Sequence, residues 1–107
     1  MSLDVILTAV RPTKVYSRNI THNVNDMAKA AGIYYPLWRP DEIGITKAQQ
    51  LIEPLTLGLA LLLNDSTQFK ALNPVNGWGS YDTLVDFVRD YLTACIETPD
   101  ADVSVSR

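Results

Sequence analysis

Apolar and polar residues alternate over LDVILTAV near the start of the chain, with Leu3, Val5 and Leu7 on one side and Asp4, Ile6 and Thr8 on the other. This two-residue period is that of a β-strand with one strongly apolar face. KVYSRNIT (14–21) is rich in β-branched and aromatic residues, and the intervening RPT carries a proline that favours a turn, so the two segments predict a hairpin. ADVSVSR at the end alternates again and predicts a third strand, with Val103 and Val105 facing a core and Ser104, Ser106 and Arg107 facing outward.

Between the strands the period changes to that of helices. In THNVNDMAKAAG, Thr21 or Asn23 caps the start, Val24, Met27, Ala28 and Ala31 form an inner face, and Gly32 supplies the stop. The next helix opens on TKAQ, where Thr46 and Gln49 have capping-box spacing, and carries Ala48, Leu51, Ile52, Leu55, Leu59 and Leu62 on one stripe. Pro54 is expected to kink it or to split off its first turn. STQFKALN predicts a shorter helix. The last one starts at Ser80, places Asp82 and Asp86 toward its positive end, and keeps Tyr81, Leu84, Val85, Val88, Leu92, Cys95 and Ile96 on one face until TPD ends it. The order ββ, helices, β implies an α+β fold. A small antiparallel sheet, the N-terminal hairpin plus the C-terminal strand, is covered on one face by three to four helices in a single domain over 1–107.

Composition narrows the function classes. With 107 residues, 47% of them hydrophobic and 20% charged, the chain has enough apolar surface for one core. Cys95 is the only cysteine, which excludes an internal disulfide and reads as a small buried hydrophobe. A net charge of −3 and a pI near 4.9 argue against bulk nucleic-acid or anionic-lipid binding. The longest apolar run, LIEPLTLGLALLL, contains Glu53, Pro54 and Gly58 and is too short for a membrane span. MSLDVILTAV lacks the basic n-region of a secretory signal, and the expected location is cytoplasmic. CxxC, HExxH, Walker and GxSxG patterns are absent, so neither a cofactor nor a metal is expected.

The candidate chemistry lies in three connecting segments, ITHN, IYYPLWRPDEIG and NPVNGWGS. His22 is the only histidine. It serves either as an acid–base group with Asp26, Asp41 or Glu42, or as a structural hydrogen-bonder at a helix start. Trp38 stands beside Arg39, a planar cation suited to carboxylate or phosphate; the alternative places Trp38 in the core with Arg39 paired to Asp41, Glu42 or another acid. Trp78, between Gly77 and Gly79, either closes the edge of the core or presents its ring to a ligand or partner.

The motifs ITHNVNDMAKAAGIYYPLWRPDEIGITKA, NPVNGWGSYDTLVDFV and PDADVSVSR together resemble a family of small bacteriophage- and prophage-encoded proteins without an assigned activity. By that resemblance Thr21, His22, Asn23, Trp38, Arg39, Pro40, Asn76, Gly77, Trp78, Gly79 and Arg107 occupy motif positions. The expectation is a non-enzymatic binding module in a host cell, a counter-defence factor that occupies a host defence protein or sequesters a nucleotide signal. Trp38 and Trp78 would stack on the ligand, Arg39 would hold an anion, and His22, Asn23 and Asn76 would orient it, with Arg107 completing the motif set. Two alternatives stand beside it. One is a small enzyme built on His22; the other is a homo-oligomeric interaction protein, such as a homodimer, anchored by Tyr34, Tyr35 and Trp38.

Overall fold

The structure, a computed structural model, describes residues 2–9, 14–74 and 79–107. The hairpin forms from β1 (Ser2–Thr8) and β2 (Lys14–Thr21), and β3 (Asp102–Ser106) adds to the free side of β1, giving an antiparallel sheet of order β2-β1-β3. The RPT turn lies outside the described residues. Cross-strand pairs Leu3↔Ile20, Val5↔Arg18 and Leu7↔Tyr16 on one side, and Val5↔Val105 and Leu7↔Val103 on the other, put the apolar set on a single face. Leu3, Val5 and Leu7 are fully buried, whereas Ser17, Asn19, Ser104 and Ser106 leave the opposite face to solvent. The antiparallel α+β architecture is therefore present as the alternation implies.

Helices α1 (Asn25–Ala30), α2 (Tyr34–Trp38), α3 (Gln49–Asn64), α4 (Ser66–Lys70) and α5 (Tyr81–Glu97) fill the interval between β2 and β3. Thr21 accepts from the Asn23 amide and starts a 3-10 turn, His22–Val24, that leads into α1. Ser80 caps α5 by accepting from the Thr83 amide, and Asn73 Oδ1 takes the Tyr81 amide at 2.8 Å. Helix α5 lies against the sheet: Tyr16 stacks on Tyr91 at 5.7 Å, Tyr91 on Phe87 at 6.0 Å, and Arg18 pairs with Asp90. Burial raises the pKa of Tyr91 and pushes the Cys95 thiol up to about 12.

Four expectations change in detail. IYYPLWRP is not wholly irregular, since Tyr34–Trp38 is helical; Pro36 sits in the first turn, where its missing N–H has no partner to lose. Of the two outcomes expected at Pro54 the split does not occur, since α3 continues through it from Gln49 to Asn64. Its start is held by Gln50, not Gln49: Gln50 Oε1 accepts from the amides of Thr46 and Lys47 at 2.8 and 2.9 Å. The amides of Ala48 and Gln49 meanwhile donate to the carbonyls of Ala101 and Pro99, so the approach to β3 satisfies the first turn of α3. On α5 the buried face includes Phe87 and Tyr91, while Ile96 remains 57% exposed, because the sheet draws the helix toward its aromatic side.

Glycines set two of the close approaches. A Cβ on Gly58 would run into the branched side chain of Ile33, so this position lets α3 pack onto the chain just before α2. Gly79 has φ +84°, and a Cβ there would lie 2.5 Å from Thr21 Cγ2 and 3.0 Å from Val24 Cγ1. The end of the NGWG motif therefore packs directly on the turn that begins with ITHN.

Candidate ligand-binding site

ITHN, IYYPLWRP and the C-terminal VSR meet around Trp38. The indole is 2% exposed and stacks on Tyr34 at 5.6 Å with an 11° interplanar angle, the i,i+4 spacing of α2 bringing the two rings together. His22 meets the same indole edge-on at 6.1 Å. Arg107 Nη1 donates to the Trp38 carbonyl at 3.1 Å and to Asp41 Oδ1 at 3.0 Å. Arg107 thus points back to the α2 corner and not outward as the sequence pattern implied, since it shares the side of β3 occupied by Val103 and Val105.

This geometry changes the roles of several expected site residues. Trp38 offers no face to a ligand; it is the buried post on which the corner is built. His22 faces that post, and among the described residues it makes no ion pair with Asp26, Asp41 or Glu42. The two carboxylates of PDEI are held by arginines: Arg39 Nη1 donates to Glu42 at 2.6 Å, and Arg107 keeps the Asp41 carboxyl below the usual carboxylate range. The side chain of Asn23 is exposed, its backbone amide occupied by Thr21. Asn76 and Trp78 lie outside the described residues. His22 Nε2 and Trp38 Nε1 are buried with no hydrogen-bond partner among the described residues.

The outer side of the same corner is a groove of about 460 Å³ lined by Lys29, Gly32, Tyr34, Tyr35 and Arg39. Its construction follows from the local sequence. Gly32, at φ +76°, reverses the chain after α1 and brings α2 back against it, so the outward side of α1 and the first turn of α2 form two walls. Lys29 Nζ stands 4.8 Å from the centre of the Tyr34 ring. Tyr35 meets Tyr34 edge-on at 5.4 Å and stays 49% exposed, leaving a planar surface at the rim. Arg39 is fixed by its own Nε, which donates to Tyr34 Oη at 3.1 Å, and by Glu42; both bonds favour its charged form.

Two cations and two phenol rings thus share one opening on a chain of net negative charge. Lys29 makes no ion pair among the described residues, and Arg39 Nη2 has no partner among them. A second groove, of about 480 Å³, lies between Pro40, Asp41, Ile45 and β3, but its cation, Arg107, is already engaged by Asp41 and the Trp38 carbonyl. The first groove differs in holding Lys29, a cation with no ion pair among the described residues, beside an arginine that is itself held by Glu42 and Tyr34. Arg39 was legible as a site residue; Lys29 was not, because only the turn at Gly32 places it opposite Arg39. Among the described residues no group of His, Cys, Asp and Glu is arranged to hold a metal, and no helix is long and apolar enough to cross a membrane. Comparison with protein-family models, with curated proteins and with solved structures yields no match.

Proposed function

We propose that this chain is a non-enzymatic binding module whose groove at Lys29, Tyr34, Tyr35 and Arg39 takes a small ligand combining a planar ring with an anionic group, as a nucleotide does. The observation that carries the reading is the pairing of two cationic side chains with an exposed aromatic face in one opening of about 460 Å³, a size within the range of small-molecule sites. The ring stacks on Tyr35, and the anion lies between Lys29 and Arg39. Arg39 presents its Nη2 in a fixed direction because Tyr34 already orients its Nε and Glu42 takes Nη1. A soluble nucleotide signal of a host is a ligand of this chemistry, and sequestering one is a counter-defence role in keeping with the phage-like motifs.

The test is a calorimetric and fluorescence titration of the intact chain with ADP, adenosine and inorganic phosphate. Trp38 fluorescence is a suitable readout because its ring stacks on Tyr34, which lines the groove. ADP is expected to bind more tightly than either fragment, and Lys29→Ala, Arg39→Ala and Tyr35→Ala are each expected to weaken it by about tenfold. Heat and fluorescence unchanged by all three compounds would remove the reading.

A further inference from the structure

We infer that β3 is a docking edge for an extended peptide of another protein, which adds to the sheet as a fourth strand parallel to β3. Strand β3 closes one side of the sheet, and antiparallel pairing with β1 turns the backbone groups of alternate residues inward and outward. Two bonds identify the outward set: the Ala101 carbonyl accepts from the Ala48 amide, and the Val103 amide donates to the Thr46 carbonyl, both at 2.9 Å. Past Thr46 the covering segment turns away, the Ile45 amide donating to the Pro40 carbonyl at 3.0 Å. The carbonyl of Val103, both backbone groups of Val105 and the amide of Arg107 therefore face outward with no hydrogen bond among the described residues. No proline or charge guards residues 103–106, whereas β2, at the other side of the sheet, carries Lys14 and Arg18.

These four groups specify the occupant. Only an extended backbone offers donors and acceptors at strand spacing. A parallel strand satisfies all four with two residues, those flanking the one beside Val105, each giving one N–H and one C=O. An antiparallel strand would aim a carbonyl at the Val103 amide, which Thr46 already holds. A second copy meets the same obstacle, since two β3 strands paired about a two-fold axis at Val105 set Arg107 of one copy opposite Val103 of the other. The net charge of −3 also opposes a second copy and favours a basic peptide. The central peptide residue turns its side chain to the face of Val103 and Val105, into the groove of about 480 Å³ that these valines line with Pro40 and Ile45. An apolar side chain fits this lining, while its polar neighbours lie on the solvent face with Ser104 and Ser106. Arg107 and Asp41 line the groove as a closed pair, so no anionic group is required of the peptide.

Titration of the ¹⁵N-labelled full chain with a capped heptapeptide, KTTVTTK, tests this. Saturable shifts are expected at the amides of Val103, Val105 and Arg107, with a Kd on the order of 0.1–1 mM. N-methylation of the two threonines flanking the valine is expected to abolish the shifts, because their N–H groups face β3. N-methylation of the valine itself is expected to leave the Kd within about twofold, because its N–H points away. Val105→Pro removes an amide that makes no bond to β1, so the shifts at the remaining positions should vanish while the sheet persists. Lys29→Ala should bind the peptide as the parent does, which separates this edge from the ligand groove. No shift with the unmodified peptide overturns the inference. The reverse methylation pattern, the mark of an antiparallel strand, overturns it too, as does a parent dimer in sedimentation velocity that Val105→Pro makes monomeric, the edge then being held by a second copy.

Discussion

Arg107, the last residue of the chain, donates through Nη1 to the backbone carbonyl of Trp38 at 3.1 Å. The bond ties the end of β3 to the corner where α2 gives way to the PDEI turn, across 69 positions of sequence. The same nitrogen reaches Asp41 at 3.0 Å, and Nη2 stands 3.8 Å from Glu42. One guanidinium therefore fastens both the post and the carboxylates that flank Arg39. Arg107→Ala is expected to lower stability by about 1 kcal/mol, the modest net worth of a charge-assisted bond that is partly open to water. Urea denaturation reads the loss. Arg107→Lys should recover little of it, since an ammonium cannot reproduce a fork shared between a carbonyl and two carboxylates.

The approach of Gly79 to Thr21 leads to a stronger expectation. A side chain at this position is strained at φ +84° and meets Thr21 Cγ2 at 2.5 Å. Gly79→Ala should cost about 1–3 kcal/mol in chemical denaturation, from left-handed backbone strain and from the displaced turn together. Asn23→Ala, on the exposed side of the same turn, should stay within about 0.5 kcal/mol of the parent.

Acidification should release the Arg107–Asp41 tie. The guanidinium, helped by a backbone hydrogen bond, holds the Asp41 carboxyl below its ordinary value of 3.8. A depressed carboxylate contributes stability above its unfolded value, and that contribution is lost as pH falls through the folded one. Thermal melts from neutral pH to about pH 3 should therefore show a small acid-induced decline that Asp41→Asn lacks in part.

The Cys95 thiol should be nearly inert in the folded chain. It is fully buried, and burial pushes it from 9.0 up to about 12. Labelling by a thiol-reactive disulfide at pH 8 should be slow in buffer and immediate in denaturant. Between these two values the folded chain keeps a proton that the unfolded chain releases, so stability should fall as pH rises through that window. Cys95→Ala should remove that part of the decline, leaving the part due to Tyr91 and Tyr16, whose ionisation burial also opposes.

Much of the scaffold was legible because its determinants are local. The alternation of Leu3, Val5 and Leu7 specifies a face, and that of Val103 and Val105 a third strand, though not the register that sets Leu3 opposite Ile20; Ser80 announces the start of α5 in the same way. What escaped was tertiary. Tyr34–Trp38 hides behind two prolines, although a proline in a first turn is no obstacle to a helix. Gln50 displaces Gln49 as the cap of α3 because residues 99–101 take up the following amides. Glu42 was readable as one possible partner of Arg39, beside Asp41 and acids elsewhere in the chain. The groove was not, because Lys29 faces Arg39 only once Gly32 has turned the chain back on itself.

Glu42 competes with any ligand for Arg39. Its Oε2 accepts from Arg39 Nη1 at 2.6 Å, so an anion entering the groove must share or displace that bond. Glu42→Gln should tighten ADP binding by about threefold and make it more sensitive to salt, while Tyr34→Phe, which removes the hydroxyl that orients Arg39 Nε, should weaken it.

The most direct measurement is a backbone amide spectrum of the ¹⁵N-labelled chain recorded during titration with ADP. Saturable shifts are expected at Lys29, Gly32, Tyr34, Tyr35 and Arg39 and are expected to be absent in the Lys29→Ala, Arg39→Ala double variant. Saturable shifts centred elsewhere, or a double variant that responds as the parent does, would contradict binding in the groove.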